Sequence, residues 1–241
     1  MENQKGLLLK KNICIQICAS NEWEAFRKIM RFNKEDFLEY PYGSYVGKKI
    51  NNIDCIFYYS KATKTRSAGA CQYAIDHWNP RRIIVFGTAG GIGEGLTDLD
   101  LVIANRTVQY DCIEAMGSKK QFFYKMLTVK LNNTWIDFNN VPVKLIPGLI
   151  ATGDQDVGFG KAKELRKHGV LAADWESGAI ANICKLNKVP CCIVRGVSDV
   201  PTSDSEEDSI RQGIKFRENT PLIMAKLLNE LLPTMLSMNK I

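Results

Sequence analysis

The chain has 241 residues, of which 45% are hydrophobic and 24% are charged, and its formal net charge is +6. This composition is ordinary for a globular protein, and the length suits one large α/β domain spanning residues 1–241. The basic residues occur in short scattered clusters such as Lys48–Lys49 and Arg81–Arg82, and the motifs of RNA- and DNA-binding modules are missing. A nucleic-acid partner is therefore not expected.

The cysteines and histidines argue against a metal centre. Eight cysteines are spread along the chain without a CxxC…CxxC arrangement, and the only two histidines, His77 and His168, lie far apart in sequence. We therefore expect no metal site, and unpaired thiols indicate a reducing compartment. The N-terminus does not resemble a signal peptide and no stretch reaches the length of a membrane span. The sequence thus predicts a cytoplasmic protein with no membrane partner.

Strand and helix patterns alternate along the chain. In order, the pattern predicts a strand at 12–19, a helix through 25–30, a strand hairpin at 44–47 and 53–59, a helix at 66–77, strands at 82–86, 99–104 and 149–151, a helix at 160–168, a strand at 170–173, a helix through 179–184, a strand at 191–194, and a final helix from about 206 to 238 that is broken by Pro221. This alternation predicts an α/β fold, a three-layer αβα domain whose central sheet is mixed but mostly parallel.

The segment 190–201 gives the strongest indication of a functional site. An apolar run that begins at Cys191 ends abruptly in Arg195, Ser198 and Asp199. In open α/β sheets ligands bind at the carboxyl ends of the strands, so polar groups at this place are positioned for chemistry. Asp199 is the first candidate. Serine and aspartate after a strand also cap helices, and this alternative remains open at this point.

Two further strand ends carry candidate groups. Glu22 and Glu24 follow the first predicted strand, where a carboxylate either caps the next helix, which is the commoner explanation, or reaches into a site. Residues 87–93, Gly-Thr-Ala-Gly-Gly-Ile-Gly, follow another strand, and such glycines let backbone amides approach a ligand or simply form a turn. The segment matches neither the dinucleotide fingerprint nor the phosphate-binding P-loop.

Four strand-end motifs taken together resemble one known superfamily. They are Gly-Thr-Ala-Gly-Gly at 87–91, Thr-Gly-Asp-Gln at 152–155, Asp-Trp-Glu-Ser-Gly-Ala-Ile-Ala at 174–181 and Val-Arg-Gly-Val-Ser-Asp at 194–199. The ordered set resembles the purine nucleoside phosphorylase/nucleosidase superfamily, and within it the 5′-methylthioadenosine/S-adenosylhomocysteine nucleosidases. The resemblance covers nearly the whole chain and is weakest at 31–60 and 117–146. It implies the nucleoside phosphorylase-like fold, a small purine nucleoside as substrate, a homodimer, and no metal or organic cofactor.

The resemblance also assigns catalytic roles. Asp199 would be the general acid that protonates purine N7, with Ser198 orienting it. Glu22 aligns with the glutamate that activates the attacking water, and Glu24 is an alternative because the alignment slides by a residue or two. Glu176 would hold the ribose hydroxyls. These residue types suit the cleavage of an N-glycosidic bond, which leaves an anionic base and a cationic sugar. Because the two tasks need different pKa values, we expect Asp199 to be buried.

The remaining implied substrate contacts are Thr88, Ala89 and Gly90 at the ribose, Val157 and Trp175 beside the base and sugar, and Asp156, Asp174 and Arg195. We expect Arg195 to form an ion pair with a carboxylate of the site. Asp156 replaces a phenylalanine, Trp175 replaces a methionine, and Met116 stands where an aromatic residue of the partner subunit is usual. These departures leave the base and the 5′ substituent open.

Val85 bears on whether water or phosphate attacks the sugar. Phosphorylases of the superfamily carry an arginine two residues before the glycine-rich loop, and this chain has Val85 there. Arginine is a usual phosphate ligand, so valine favours hydrolysis, although Lys64 or Arg66 could supply a charge instead. The leading hypothesis is a purine nucleosidase acting on 5′-methylthioadenosine or S-adenosylhomocysteine. A phosphorylase and a catalytically silent, storage-type member of the fold are the alternatives.

Overall fold

One mixed sheet organises the protein. The computed structural model describes residues 12–113 and 127–238. Its strands are β1 (Ile13–Ile17), β2 (Leu38–Tyr40), β3 (Gly43–Ile50), β4 (Ile53–Tyr59), β5 (Arg82–Gly91), β6 (Leu101–Gln109), β7 (Thr128–Lys130), β8 (Leu145–Thr152), β9 (Val170–Asp174) and β10 (Cys191–Asp199). The order across the sheet is β10-β6-β8-β9-β5-β1-β4-β3-β2, with β7 paired to β6.

The helices connect these strands. They are α1 (Ser20–Ile29), α2 (Lys64–Trp78), α3 (Phe159–Arg166), α4 (Ser177–Leu186), α5 (Glu206–Ala225) and α6 (Leu232–Leu236), with a 3₁₀ turn at Lys34–Asp36 and a π-helical segment, Lys226–Leu231, between α5 and α6. In the described ranges, no helix has the length and apolarity needed to cross a membrane.

The sheet closes on itself at β5. This strand pairs in parallel with β1 and β10, and its last two residues pair antiparallel with β9. Because β10 also pairs with β6, and β6 leads through β8 to β9, five strands form a closed ring. Among the described residues, five strand pairings are parallel and five are antiparallel. The predicted mixed sheet is confirmed, but parallel pairings are not in the majority, because the β2–β3–β4 meander and the ring closure add antiparallel ones.

Apolar packing covers both faces of the sheet near β1. Ile13, Ile15 and Ile17 belong to a cluster with Phe26 of α1 and Ile223 of α5. The intervening Cys14 packs in another cluster, which includes Ala70 of α2 and Ile180 of α4. Successive residues of a strand point to opposite faces, and every residue of β1 is buried. The predicted strand is present, and its burial on both faces suits a sequence in which Gln16 is the one polar residue of β1.

Two local predictions have different outcomes. The hairpin of β3 and β4 is confirmed, and it turns at Asn51 and Asn52, whose φ angles are +48° and +62°. Asparagine tolerates this left-handed conformation, which suits tight hairpin turns. The predicted break at Pro221 is wrong, because α5 continues through Pro221 to Ala225. In the same turn the Thr220 hydroxyl donates to the Phe216 carbonyl, and the π-helical segment follows after Ala225.

Candidate active site

A cavity of about 400 Å³ opens at the carboxyl ends of β5, β9 and β10. Residues from all four strand-end motifs line it, and so does Glu22 at the start of α1. The predicted site residues on its wall are Glu22, Thr88, Ala89, Gly90, Asp156, Val157, Asp174, Trp175, Glu176, Ser198 and Asp199. The sheet therefore brings together groups that are up to 177 positions apart in the sequence (Glu22 and Asp199).

Glu22 combines the two roles that the sequence left open. Its Oε2 accepts hydrogen bonds from the backbone N–H groups of Ala19 at 2.9 Å and Cys18 at 3.3 Å, which caps α1. Its Oε1 accepts from the backbone N–H of Thr88 at 2.6 Å and from the Thr88 hydroxyl at 2.8 Å. The buried carboxylate is thus fixed between β1 and β5 at the cavity wall. Glu24 instead lies on the exposed side of α1 and pairs with Arg27 at 2.7 Å.

Arg195 lies fully buried behind the carboxylates. Its Nε is 2.8 Å from Asp174 Oδ2, its Nη2 is 3.1 Å from Glu176 Oε2, and its Nη1 is 3.8 Å from Glu22 Oε1. The predicted ion pair is present, but Arg195 does not line the cavity. The structure thus places its guanidinium against three carboxylates of residues that line the cavity, and its substrate contact stays a prediction.

Two members of this cluster, Arg195 and Glu176, have shifted pKa values. Burial would lower the pKa of Arg195, but the negative charges of Asp174 and Glu176 outweigh this effect and raise it above its ordinary value. Burial raises the pKa of Glu176, and Arg195 partly counters that rise. Glu176 also accepts a hydrogen bond from the backbone N–H of Thr63 at 3.4 Å. A buried charged cluster of this kind is stable only while every member keeps its partner.

Asp174 serves the scaffold more than the cavity. Its Oδ1 accepts from the Thr152 hydroxyl at 2.6 Å and from the backbone N–H of Ser177 at 3.1 Å. Its Oδ2 accepts from Arg195 and from the Ser177 hydroxyl. These bonds tie the ends of β8, β9 and β10 to the first turn of α4. Asp174 lines the cavity and both of its carboxylate oxygens have protein partners, and its substrate contact stays a prediction.

Asp199 closes the cavity at the end of β10. Its Oδ1 accepts a hydrogen bond from the Ser198 hydroxyl at 2.6 Å, as the predicted orienting role requires. Burial raises the pKa of Asp199 to about 6, and the bond from Ser198 acts in the opposite direction. A carboxyl group with this pKa carries a proton more readily than ordinary aspartate, which a general acid needs. Asn219 supports this strand end by donating to the Ser198 carbonyl at 2.7 Å.

One side of the cavity was not predicted from the sequence. Helix α5 contributes Ser209, Gln212, Gly213 and Phe216 to the wall. These residues recur at intervals of three and four, so they share one face of the helix. The spacing was available in the sequence, but it is the same as that of an ordinary solvent-facing helix surface. Phe216 supplies an aromatic ring to a cavity in which Asp156 replaces the expected phenylalanine.

The cavity wall carries no basic side chain within the described ranges. Val85 is fully buried in β5. Lys64, one of the two possible substitutes, is held by Asp111 at 2.6 Å, and Arg66 is exposed on α2 outside the wall. Met116 lies outside the described residues. No group of three or more His, Cys, Asp or Glu side chains in the described part of the chain could hold a metal ion.

Comparison with known proteins agrees with this geometry. The family model of the Phosphorylase superfamily matches residues 55–232. The chain belongs to this superfamily, and the resemblance seen in its strand-end motifs is confirmed. It is an enzyme of the N-glycosyl hydrolase class, the class of its named curated relatives.

The relatives include two kinds of nucleosidase. The chain is 29% identical to an aminodeoxyfutalosine nucleosidase of Campylobacter jejuni over 181 residues, covering 71% of this chain and 79% of the relative. It is 28% identical to a 5′-methylthioadenosine/S-adenosylhomocysteine nucleosidase of Haemophilus ducreyi over 228 residues, covering 90% and 94%. Among solved structures, the futalosine hydrolase of Helicobacter pylori superimposes with a TM-score of 0.76 at 24% identity, covering 94% and 97%, and so shares the fold.

Proposed function

We propose that the protein hydrolyses the N-glycosidic bond of a purine nucleoside and releases the free base and a 5-substituted ribose. The observation that carries the proposal is that one cavity is lined by carboxyl groups in two different environments. Asp199, whose pKa burial raises to about 6, lies at the end of β10. Glu22 and Glu176 belong to the cluster organised by Arg195. The reaction needs a proton donor for the base and carboxyl groups for the sugar and water. Here these groups line the same cavity.

Asp199 acts on the leaving group. It donates its proton to purine N7 as the bond from the sugar to the base breaks, so that the electron pair of that bond leaves on a neutral base. A positioned general acid contributes a factor of about 10² to 10⁴ in rate. The Ser198 hydroxyl keeps the carboxyl group oriented before and after proton transfer.

Glu22 and Glu176 act on the sugar and on water. Glu22 accepts a proton from the water that attacks the anomeric carbon, and its bonds to Ala19 and Thr88 fix the carboxylate for this task. Glu176 accepts hydrogen bonds from the ribose hydroxyls. The negative charge of the Glu22 carboxylate also stabilises the positive charge that develops on the sugar ring. Thr88, Ala89, Gly90, Val157 and Trp175 all line the cavity. In the proposed complex the first three contact the ribose, and Val157 and Trp175 lie beside the base and sugar.

The attacking group is water rather than phosphate. Phosphorolysis needs a cationic site for phosphate, and the cavity wall has no lysine or arginine in the described ranges. Arg195 is unable to take this part because its Nε and Nη2 are bound to carboxylates. The same carboxylates would repel a phosphate dianion.

The proposed substrate is 5′-methylthioadenosine, S-adenosylhomocysteine or aminodeoxyfutalosine, and the first of these would place the enzyme in methionine salvage. The names of the relatives support all three. We further propose that the enzyme works in the cytoplasm as a homodimer, with residues 1–241 forming one domain.

The test is an assay of free base and reducing sugar from these three nucleosides, adenosine and inosine, with and without phosphate. We expect base release to be independent of phosphate. Release that requires phosphate would show a phosphorylase and contradict the argument from the cavity wall. No release from any nucleoside, by protein whose fold is verified by circular dichroism, would indicate a catalytically silent member of the fold.

A further inference from the structure

A second cavity, of about 380 Å³, lies at the opposite end of the same strands. Arg82 and Cys191, the first residues of β5 and β10, line it together with Lys185 near the end of α4. Arg82 is eight positions from Gly90, which lines the first cavity on the same strand. At a rise of about 3.3 Å per residue, the two cavities are about 26 Å apart. The second cavity is therefore separate from the proposed active site.

The second cavity is lined by unpaired positive charges. Arg82, Lys130, Lys185 and Lys188 line it, and no aspartate or glutamate does. Across residues 12–113 and 127–238, none of these four side chains forms an ion pair. Four cations without counter-charges repel one another, and this repulsion disappears when an anion binds among them.

Arg82 and Trp135 form the floor of this cavity. The Arg82 guanidinium carbon lies 4.1 Å from the centre of the Trp135 ring, and both residues are more than nine-tenths buried. Arg82 Nε and Trp135 Nε1 are buried, and neither has a hydrogen-bond partner among the residues that the structure describes. Burial, reinforced by Arg81, lowers the pKa of Arg82. A buried donor that lacks an acceptor destabilises a protein, so such groups commonly mark a place where a ligand belongs.

We propose that this second cavity binds a small phosphate compound carrying at least two negative charges. The planar guanidinium group of Arg82 is able to donate paired hydrogen bonds to phosphate oxygens, and stacking on Trp135 fixes its orientation. Lys130, Lys185 and Lys188 surround it with exposed ammonium groups that neutralise further charges. Asn132 and Thr134 add hydrogen-bonding groups to the wall, which suits a phosphate ester with a sugar part.

The test measures binding of pyrophosphate and of ADP at constant ionic strength, by calorimetry and by tryptophan fluorescence. Constant ionic strength is required because salt screens exposed charges. The main variant is K185Q/K188Q. The matched control is K163Q/K167Q, which removes two exposed lysines from the end of another helix, α3, outside both cavities. D199N serves to show whether a probe occupies the proposed active site instead.

We expect both probes to bind the unmodified protein and D199N alike, with a loss of at least about tenfold in affinity for K185Q/K188Q and none for K163Q/K167Q. R82K should weaken binding while keeping the charge, because lysine lacks the planar fork. Tighter binding of ADP would identify an ester as the ligand, and equal binding would identify the free anion. Absence of binding, equal weakening in both double variants, or loss in D199N would overturn the proposal.

Discussion

Glu22 Oε1 and Arg195 Nη1 lie 3.8 Å apart beside the backbone of Gly87. A Cβ atom at residue 87 would be 2.2 Å from Arg195 Nη1 and 2.6 Å from Glu22 Oε1. Because Gly87 has no side chain, Arg195 of β10 and Glu22 of α1 are able to meet beside the backbone of β5. The same residue begins the glycine-rich motif, so this glycine is needed for packing as well as for access to a ligand.

Gly87→Ala should destabilise the protein by about 1–3 kcal/mol, because overpacking a filled interior displaces buried, bonded side chains. The control is Gly90→Ala on the same strand, where the nearest atoms to an added Cβ are 3.9 Å away. Urea unfolding measures both. Equal stability of the two variants would contradict the packing argument.

Glu22→Gln should lower kcat by a factor of about 10² or more while the protein remains folded. The amide is unable to take a proton from water, and its NH₂ group would face donors from Thr88 or Ala19. Glu24→Gln is the matched control, because Glu24 lies two residues away on the exposed side of α1. Steady-state kinetics together with thermal unfolding distinguish the two glutamates. Loss of activity in the Glu24 variant alone would transfer the water-activating role to Glu24.

Asp199 should give kcat/KM a falling limb as pH rises through about 6, because a general acid is active only while protonated. The bond from Ser198 favours the ionised carboxylate and so lowers this pKa. Ser198→Ala should therefore move the limb to higher pH, whereas Ser209→Ala, elsewhere on the cavity wall, should leave it in place. A pH profile that Ser198→Ala leaves unchanged would refute the assignment of the limb to Asp199.

Asp199→Asn should also change stability. The folded pKa of about 6 exceeds the reference value of 3.8, so the stabilising contribution of Asp199 is full below the reference value and is lost as pH rises through about 6. The neutral asparagine avoids that loss. The variant should gain up to about 3 kcal/mol above pH 6, and the gain should shrink in more acidic solution. Chemical denaturation across this pH range is the measurement, and a pH-independent difference would contradict it.

Arg195→Met should destabilise the protein by about 3–5 kcal/mol at neutral pH, because it leaves buried carboxylates without their counter-charge. Without the guanidinium, the folded-state pKa of Glu176 should rise further, since Arg195 now lowers it. Stability should then fall as pH rises through that value and recover in mild acid. Arg66→Met, which removes an exposed arginine on α2, is the control. Equal unfolding midpoints for the two variants would show that the cluster does not depend on Arg195.

The sequence predicted the parts of the site where a chemically active side chain directly follows or ends an apolar strand. Glu22, Glu176 and Asp199 each follow or end an apolar strand, and parallel neighbours carry such positions to one edge of a sheet. The ion pair of Arg195 with a carboxylate was predicted through the resemblance to the superfamily, and the structure contains it. The pattern did not show that the guanidinium of Arg195 would lie against three carboxylates, since that depends on side-chain directions across several strands.

The contribution of α5 and the closure of the sheet were beyond the sequence pattern. Gln212 and Phe216 lie on a helix whose outer face is also mixed in polarity, so periodicity alone does not separate cavity from solvent. The closed ring depends on a short antiparallel pairing of Gly90 and Gly91 with β9. At Pro221, tertiary packing of α5 overrode the local tendency of proline to end a helix.

The position of β5 has a consequence for the order in which the chain assembles during synthesis. This strand has hydrogen-bonded neighbours drawn from residues 13–17, 170–174 and 191–199. Such distant pairings form slowly, and the last of them waits until the chain beyond Asp199 has left the ribosome. A nascent chain paused before β10 would leave one edge of β5 open. Until residues 191–199 pair with it, β5 therefore presents an open strand edge of the kind through which chains aggregate.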